Sequence, residues 1–276
     1  KGGVVSDRQK ILLSPEVAGD EPFMMAQKLK EIPVLVGADR FSIGMKAVKI
    51  FSPDIIIFDD AFQHRRLKRD LDIVLIDDKS FLGNRYLLPR GILRESVSGI
   101  SRGDLFVLTR CNEDSNSSSE RSLGEIAPGK LVFKSSHEPY VCGVFNGMGK
   151  DVSDRLSGNA SQNFDFLKAS EVFVFSGIAK NEEFQATVVN LVGEVLGVIG
   201  FNDHHQYTES DFRLIAAKAQ EASAEFLVTT EKDYVKIAAK LKSPLNIVGV
   251  GIRFSFKDGG TSFSEFIKEK VDNIEQ

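Results

Sequence analysis

DIIIFDDAFQHRRLKRDLDIVLIDD, residues 54–78, is the stretch on which the expected fold turns. Ile55, Ile56, Ile57 and Phe58 form a continuous apolar run. That is the pattern of a parallel strand buried on both faces. The run ends in Asp59 and Asp60, and a second run, Ile73 to Ile76, ends in Asp77 and Asp78. Between them lie Gln63, His64 and the cations Arg65, Arg66, Lys68 and Arg69. In open α/β sheets, ligands bind beyond the carboxyl ends of the strands. An apolar strand ending in Asp is also the Walker B pattern, whose carboxylate holds Mg²⁺ for a nucleotide. A plain acidic cap on a buried strand gives the same short pattern. The doublet, the Gln-His that follows and the basic loop weigh against the plain cap.

Outward from this stretch, further strands are expected at Val34–Val36, Leu105–Thr109, Val172–Phe175, Val198–Phe201, 226–228 and 247–250. LVFKSSHEPY and VCGVF, starting at residue 131, read as two extended segments of a connector. An amphipathic helix is expected over 181–197, and further helices over 208–223 and 262–271. Thr208 with Asp211 three positions on resembles a capping box. Strands alternating with helices predict an α/β fold built on a parallel sheet. The expected division is a core over 1–130, a two-stranded connector over 131–150 and a second, smaller α/β domain over 151–276. Residues 112–122 read as a polar loop, and 153–163 as a linker-like stretch.

The composition bounds the function. The chain has 276 residues, 42% hydrophobic and 27% charged, with net charge −4. Nothing global points to nucleic acid. Two cysteines, Cys111 and Cys142, are too few for a disulfide scaffold and lack metal-ligand spacing, so a reducing compartment is expected. No apolar run approaches the ~20 residues of a membrane span. NGMGKD at 146–151 is not a phosphate loop, because Asp follows its Gly-Lys and no glycine stands five residues before Gly149. From spacing alone, Asp20 reads as the cap of a helix that starts near Pro22. Arg40, just past a strand end, suits either a phosphate contact or an open surface.

DDAFQHRRLKRDLDIVLID resembles the signature of the tetraacyldisaccharide 4′-kinase (lipid A 4′-kinase) family of Gram-negative bacteria, with Ala61 in place of a usual Gly. Other stretches match that family in order: GDEP at 19–22, VGADR at 36–40, LLPRGILRE at 87–95, FSGIA at 175–179, FNDHHQYT at 201–208 and TTEKDYVK at 229–236. The resemblance implies a P-loop-NTPase-like core and transfer of the γ-phosphate of ATP, with Mg²⁺, to the 4′-hydroxyl of a tetraacyl glucosamine disaccharide 1-phosphate. It implies Asp20 and the His of the Asp-His motif, His204, as the catalytic pair, although His205 stands beside it. It further implies Glu21, Arg40, Gln63, His64 and Arg94 as substrate or phosphate contacts, and Asp59, Asp60 and Glu95 as metal ligands. The partners it implies are the lipid A disaccharide precursor and the cytoplasmic face of the inner membrane, bound peripherally.

No GxxxxGK[ST] occurs between Lys1 and Gln276. The resemblance places that element upstream of where this chain begins, so ATP–Mg²⁺ binding by this chain alone is expected to be weak. Two alternatives stay open from the residues. One is a metal-dependent hydrolase built on Asp20, Asp59, Asp60, His64, His204 and His205. The other is a catalytically inactive binding protein.

Overall fold

The computed structural model describes residues 2–111, 118–146, 164–237, 243–256 and 261–274. Most of the NGMGKD segment and the 153–163 linker lie outside them. In chain order the elements begin with β1 (Gly3–Ser6), α1 (Pro15–Ala18), α2 (Asp20–Lys28), β2 (Val34–Val36), α3 (Arg40–Phe51) and β3 (Ile73–Asp77). A 3-10 helix (Val97–Arg102), β4 (Leu105–Thr109), α4 (Ser118–Ile126) and β5 (Leu131–Phe145) follow. Then come β6 (Glu171–Ser176), α5 (Asn181–Val189), β7 (Glu194–Gly200) and α6 (Glu209–Glu221). The last are β8 (Phe226–Thr230), α7 (Glu231–Ile237), β9 (Asn246–Phe256) and α8 (Thr261–Ile274).

The chain folds into two compact units, residues 1–38 with 139–252, and residues 39–138 with 253–276. Residues 1–38 therefore cluster with the later half of the sequence rather than with the segment that follows them.

In the first unit, β6 pairs in parallel with β7 on one side and β8 on the other, and β8 pairs in parallel with β9. Side chains alternate between two cores. Phe173, Phe175, Leu227 and Ile247 face Phe212 and Ile215 of α6. Val172, Val174, Val228 and Val248 face Phe184 and Val188 of α5. Burial on both faces explains why these strands read as unbroken apolar runs. The chain leaves β6 for β7 in one direction and returns to β8 on the other side of β6. The carboxyl ends of β6 and β8 thus flank a topological switch point, the usual ligand position in such sheets. A short antiparallel pair, β1 with β2, packs beneath α1 and α2 around Val5, Ala18, Ala26 and Val34.

In the second unit, β3, β4 and β5 are parallel, with Ile73 beside Leu105 and Leu105 beside Leu131. Its core holds Ile76, Phe106, Leu108, Leu123 and Ala127. Here the expected central strand at Ile55–Phe58 is corrected. Those residues form no strand, and Ile57 is 91% exposed. A strand exists through hydrogen bonds to neighbours, and β3 is paired only with β4 among the described residues. Phe58 instead lays its ring against Gly44 of α3. Asp59 and Asp60 follow in an exposed turn, Asp60 with φ +49°.

Three element readings also change. Residues 131–145 make one continuous strand instead of two segments. The helix expected over 181–197 ends at Val189, and Glu194–Gly200 is strand, since Gly193 and Gly197 disfavour helix and β-branched residues surround them. The polar loop at 112–122 gives way to helix α4 from Ser118, with residues 112–117 outside the described set.

Candidate functional site

Asp20 is the first residue of α2. Gly19, at φ +90°, turns the chain out of α1 directly into α2, a backbone conformation that disfavours any residue with a Cβ. The Asp20 side chain caps nothing at this helix start. Its Oδ2 lies 3.2 Å from His204 Nδ1 and 2.7 Å from Lys236 Nζ. Asp20 and Lys236 are each only 8% exposed, whereas His204 is 59% exposed. Two residues 184 positions apart thus meet, as the resemblance implied. Glu21, beside Asp20, is exposed in the first helical turn.

The two histidines separate cleanly. His205 Nε2 is 3.0 Å from Asp211 Oδ2, and its ring stacks on Phe201 at 4.5 Å. It belongs to the N-terminal cap of α6, where Thr208 and Asp211 form a capping box. His204 has φ +58°, which turns its ring away from that packing and toward Asp20. Lys232 Nζ lies 3.4 Å from His204 Nε2 and 3.2 Å from Asp203 Oδ1. An ammonium only donates, so in the tautomer that accepts from Lys232 at Nε2, it is Nδ1 that carries the proton facing Asp20.

Lys236 was not singled out from the sequence. It stands on α7, and α7 faces α2 through two ion pairs, Asp20–Lys236 at one end and Lys28–Glu231 at 2.8 Å at the other. Tyr140 closes the second tie, its hydroxyl 2.7 Å from Lys28 Nζ and 2.8 Å from Glu231 Oε1. Behind Lys236, fully buried Asp233 accepts from Gly177 N–H and the Thr230 hydroxyl, each at 2.8 Å. These last contacts join the carboxyl ends of β6 and β8 at the switch point. Burial and the neighbouring Asp233 push the Tyr207 phenol upward. A small pocket opens beside Asp20 and Lys236, walled by Pro15, Glu16, Gln206, Tyr207 and Phe212. The only sequence signal for this support was the TTEKDYVK match, which contains Glu231, Lys232, Asp233 and Lys236.

The remaining candidates gather in the second unit. Arg94 Nη1 donates to both oxygens of Asp60, at 2.9 and 2.8 Å, in a pair 59% exposed on each side. Glu95 accepts from Arg102 Nη2 at 2.8 and 2.7 Å and from Gln63 Nε2 at 3.1 Å, with Arg65 at 3.6 Å. Burial raises the Glu95 carboxyl, but the Arg102 and Gln63 hydrogen bonds and the nearby arginine charges outweigh it and hold the group low. Arg102 also covers the Phe62 ring at 4.5 Å. His64 is exposed, and its carbonyl accepts from Arg69. Arg40 opens α3, half-buried, behind the cap formed by Asp39.

Asp59 is exposed and makes no hydrogen bond among the described residues. Carboxylate oxygens are the ligands Mg²⁺ prefers. Among the described residues, however, no three His, Cys, Asp or Glu side chains gather as a metal cage. Arginines engage Asp60 and Glu95, so the set as arranged does not close around an ion. Asp77, which ends the second apolar run, is held by Arg110 and acts as a strand-end ion pair.

A sequence model described as tetraacyldisaccharide-1-P 4′-kinase, LpxK, matches residues 1–272. Tetraacyldisaccharide 4′-kinase of Syntrophus aciditrophicus is 36% identical over 256 residues, covering 91% of this chain and 67% of that protein. The protein of the same name from Desulfatibacillum aliphaticivorans is 34% identical over 273 residues, covering 98% and 71%. Among solved structures, an "apo" form of LpxK from Aquifex aeolicus, in complex with ATP, is similar with TM-score 0.66 and 27% identity. That similarity spans 98% of this chain and 75% of that one.

Proposed function

This chain belongs to the tetraacyldisaccharide-1-P 4′-kinase family, and from that membership we propose ATP-dependent phosphorylation of the 4′-hydroxyl of a tetraacyl glucosamine disaccharide 1-phosphate. The observation that carries the reading is the Asp20–His204 contact. Phosphoryl transfer requires phosphates held by donors and a base for the acceptor proton. Oδ2 of Asp20 is taken by Lys236 and His204, while Oδ1 accepts from no donor among the described residues. Oδ1 takes the hydroxyl proton as the sugar oxygen bonds to the γ-phosphorus and the bond to ADP breaks.

Arg94, Arg40, Gln63 and His64 are the phosphate and substrate donors of the second unit, and Glu21 serves the acceptor beside Asp20. An exposed pair such as Arg94–Asp60 is worth at most about 1 kcal/mol, so exchanging Asp60 for a phosphate costs little. Mg²⁺ is assigned to Asp59, Asp60 and Glu95 on donor chemistry alone, since binding there requires Arg94 and Arg102 to give those oxygens up. The core that carries them is read as P-loop-NTPase-like. Its lipid precursor places the protein at the cytoplasmic face of the inner membrane, bound peripherally. No helix among the described residues is long and apolar enough to cross a membrane.

The test is transfer of ³²P from γ-labelled ATP to the tetraacyldisaccharide 1-phosphate by the purified intact protein, with the position of the phosphate fixed by NMR. Label released as free phosphate at the same rate with and without lipid would favour a hydrolase. The two-metal hydrolase reading is the weaker one, because His205 is committed to Asp211.

A further inference from the structure

We infer that Lys236 is a positioning residue for phosphoryl transfer, acting through Asp20; this rests on Asp20 being the base. Three observations support it. Lys236 is as buried as Asp20, so their contact is a built ion pair rather than a surface accident. Its ammonium is held from three sides, by Asp20 Oδ2 at 2.7 Å, the His205 carbonyl at 3.5 Å and Asp233 Oδ1 at 3.8 Å. Asp233 is itself anchored to Gly177 and Thr230 at the ends of two central strands. The position of the ammonium is therefore set by the sheet, and the position of Oδ2 is set by the ammonium.

The consequence is directional. With Lys236 and His204 both on Oδ2, the carboxylate cannot rotate freely about its Cβ–Cγ bond, and Oδ1 is the oxygen left for the acceptor. Without Lys236, His204 is the remaining partner, on a side chain 59% exposed. Holding a reacting group in one orientation is a large source of rate, and small misplacements cost about 10²-fold. The other groups facing Asp20 are Glu16 in the pocket wall, Tyr207, and Asp233 behind the lysine. Lys232 and Asp203 contact His204 on its far ring nitrogen. Of these, Lys236 is the cation in direct contact with the carboxylate.

The experiment uses the intact protein carrying Lys236→Met, Lys236→Arg, Asp20→Asn and the double variant Asp20→Asn/Lys236→Met. Lys236→Met should lower kcat by roughly 10- to 100-fold with KM for ATP and lipid nearly unchanged, as expected when only the transition state loses an interaction. Lys236→Arg should recover most of the rate. In the Asp20→Asn background, adding Lys236→Met should change kcat by less than about threefold, since residues acting as a unit are non-additive. Normal kcat in Lys236→Met, or full multiplication of the two losses, overturns the inference. Normal kcat in Asp20→Asn instead removes the base reading itself, which is a distinct outcome. If Lys236→Met does not fold, Lys236→Gln keeps a donor without the charge, and the same loss in kcat at constant KM and the same non-additivity are required of it.

Discussion

Asp20→Asn separates chemistry from folding at this site. The substitution keeps the shape of the side chain and one oxygen that accepts from Lys236, but it removes the proposed base. General-base loss typically lowers rate by about 10²–10⁴-fold, or about 3–5 kcal/mol of barrier. The stability cost follows from what remains around Lys236. Removing one partner of a buried ion pair outright costs about 3–5 kcal/mol. Here Asp233 stays 3.8 Å from the ammonium and the His205 carbonyl 3.5 Å away. Asp20→Ala should therefore fall near the lower end, about 3 kcal/mol. Asp20→Asn, which keeps a neutral acceptor, should cost about 1–2 kcal/mol, the scale of one hydrogen bond to a charged group. Steady-state kinetics with labelled ATP and lipid, beside urea unfolding of both variants, make the comparison. The expected result is a kcat loss of two to four decades in Asp20→Asn with KM nearly constant and most of the stability kept. A kcat within about threefold of the parent would return Asp20 to a purely structural ion pair and refute the reasoning.

Other outcomes follow from the same geometry. His204→Ala should lower kcat and leave the melting temperature nearly unchanged, because the ring is largely exposed. His205→Ala should do the reverse, as it loses the Asp211 contact and the stacking on Phe201; equal kcat losses in both would undo the assignment. Asp211 is held below the ordinary carboxylate value by hydrogen bonds from the Thr208 backbone and side chain, and then by His205. A depressed folded value means its stabilisation is complete above the unfolded value of 3.8 and is lost as pH falls below it. Asp211→Ala should therefore cost about 1 kcal/mol near neutrality. That difference from the parent should vanish in strong acid, as read by denaturant unfolding across pH. Gly249→Ala should destabilise by about 1–3 kcal/mol, the usual cost of overpacking. Its Cβ would stand 2.5 Å from Cys142 Sγ and 2.6 Å from Tyr234 Cγ; an unchanged melting temperature would show that Tyr234 and α7 can shift.

The alternation of apolar strands with amphipathic helices was legible in the sequence because it depends on local periodicity, whereas the functional reading of the motifs at 19–22, 54–78 and 201–208 came from the family resemblance. Legible from local spacing, too, was the capping box at Thr208, whose partners lie three residues apart. The family resemblance also carried the pairing of Asp20 with a histidine of the Asp-His-His run. Which histidine meets Asp20 was decided only in three dimensions, by the left-handed backbone at His204 and the aromatic packing of His205. The role of Lys236 was not legible for a related reason, although the residue lies in the matched TTEKDYVK stretch. A lysine at the end of a short helix has no local signature, and its role comes from an aspartate 216 positions away in sequence. Ile55–Phe58 shows the converse limit. An apolar run specifies that a strand is favourable there, but a strand also needs a neighbour's backbone, and pairing is a property of the fold and not of the run.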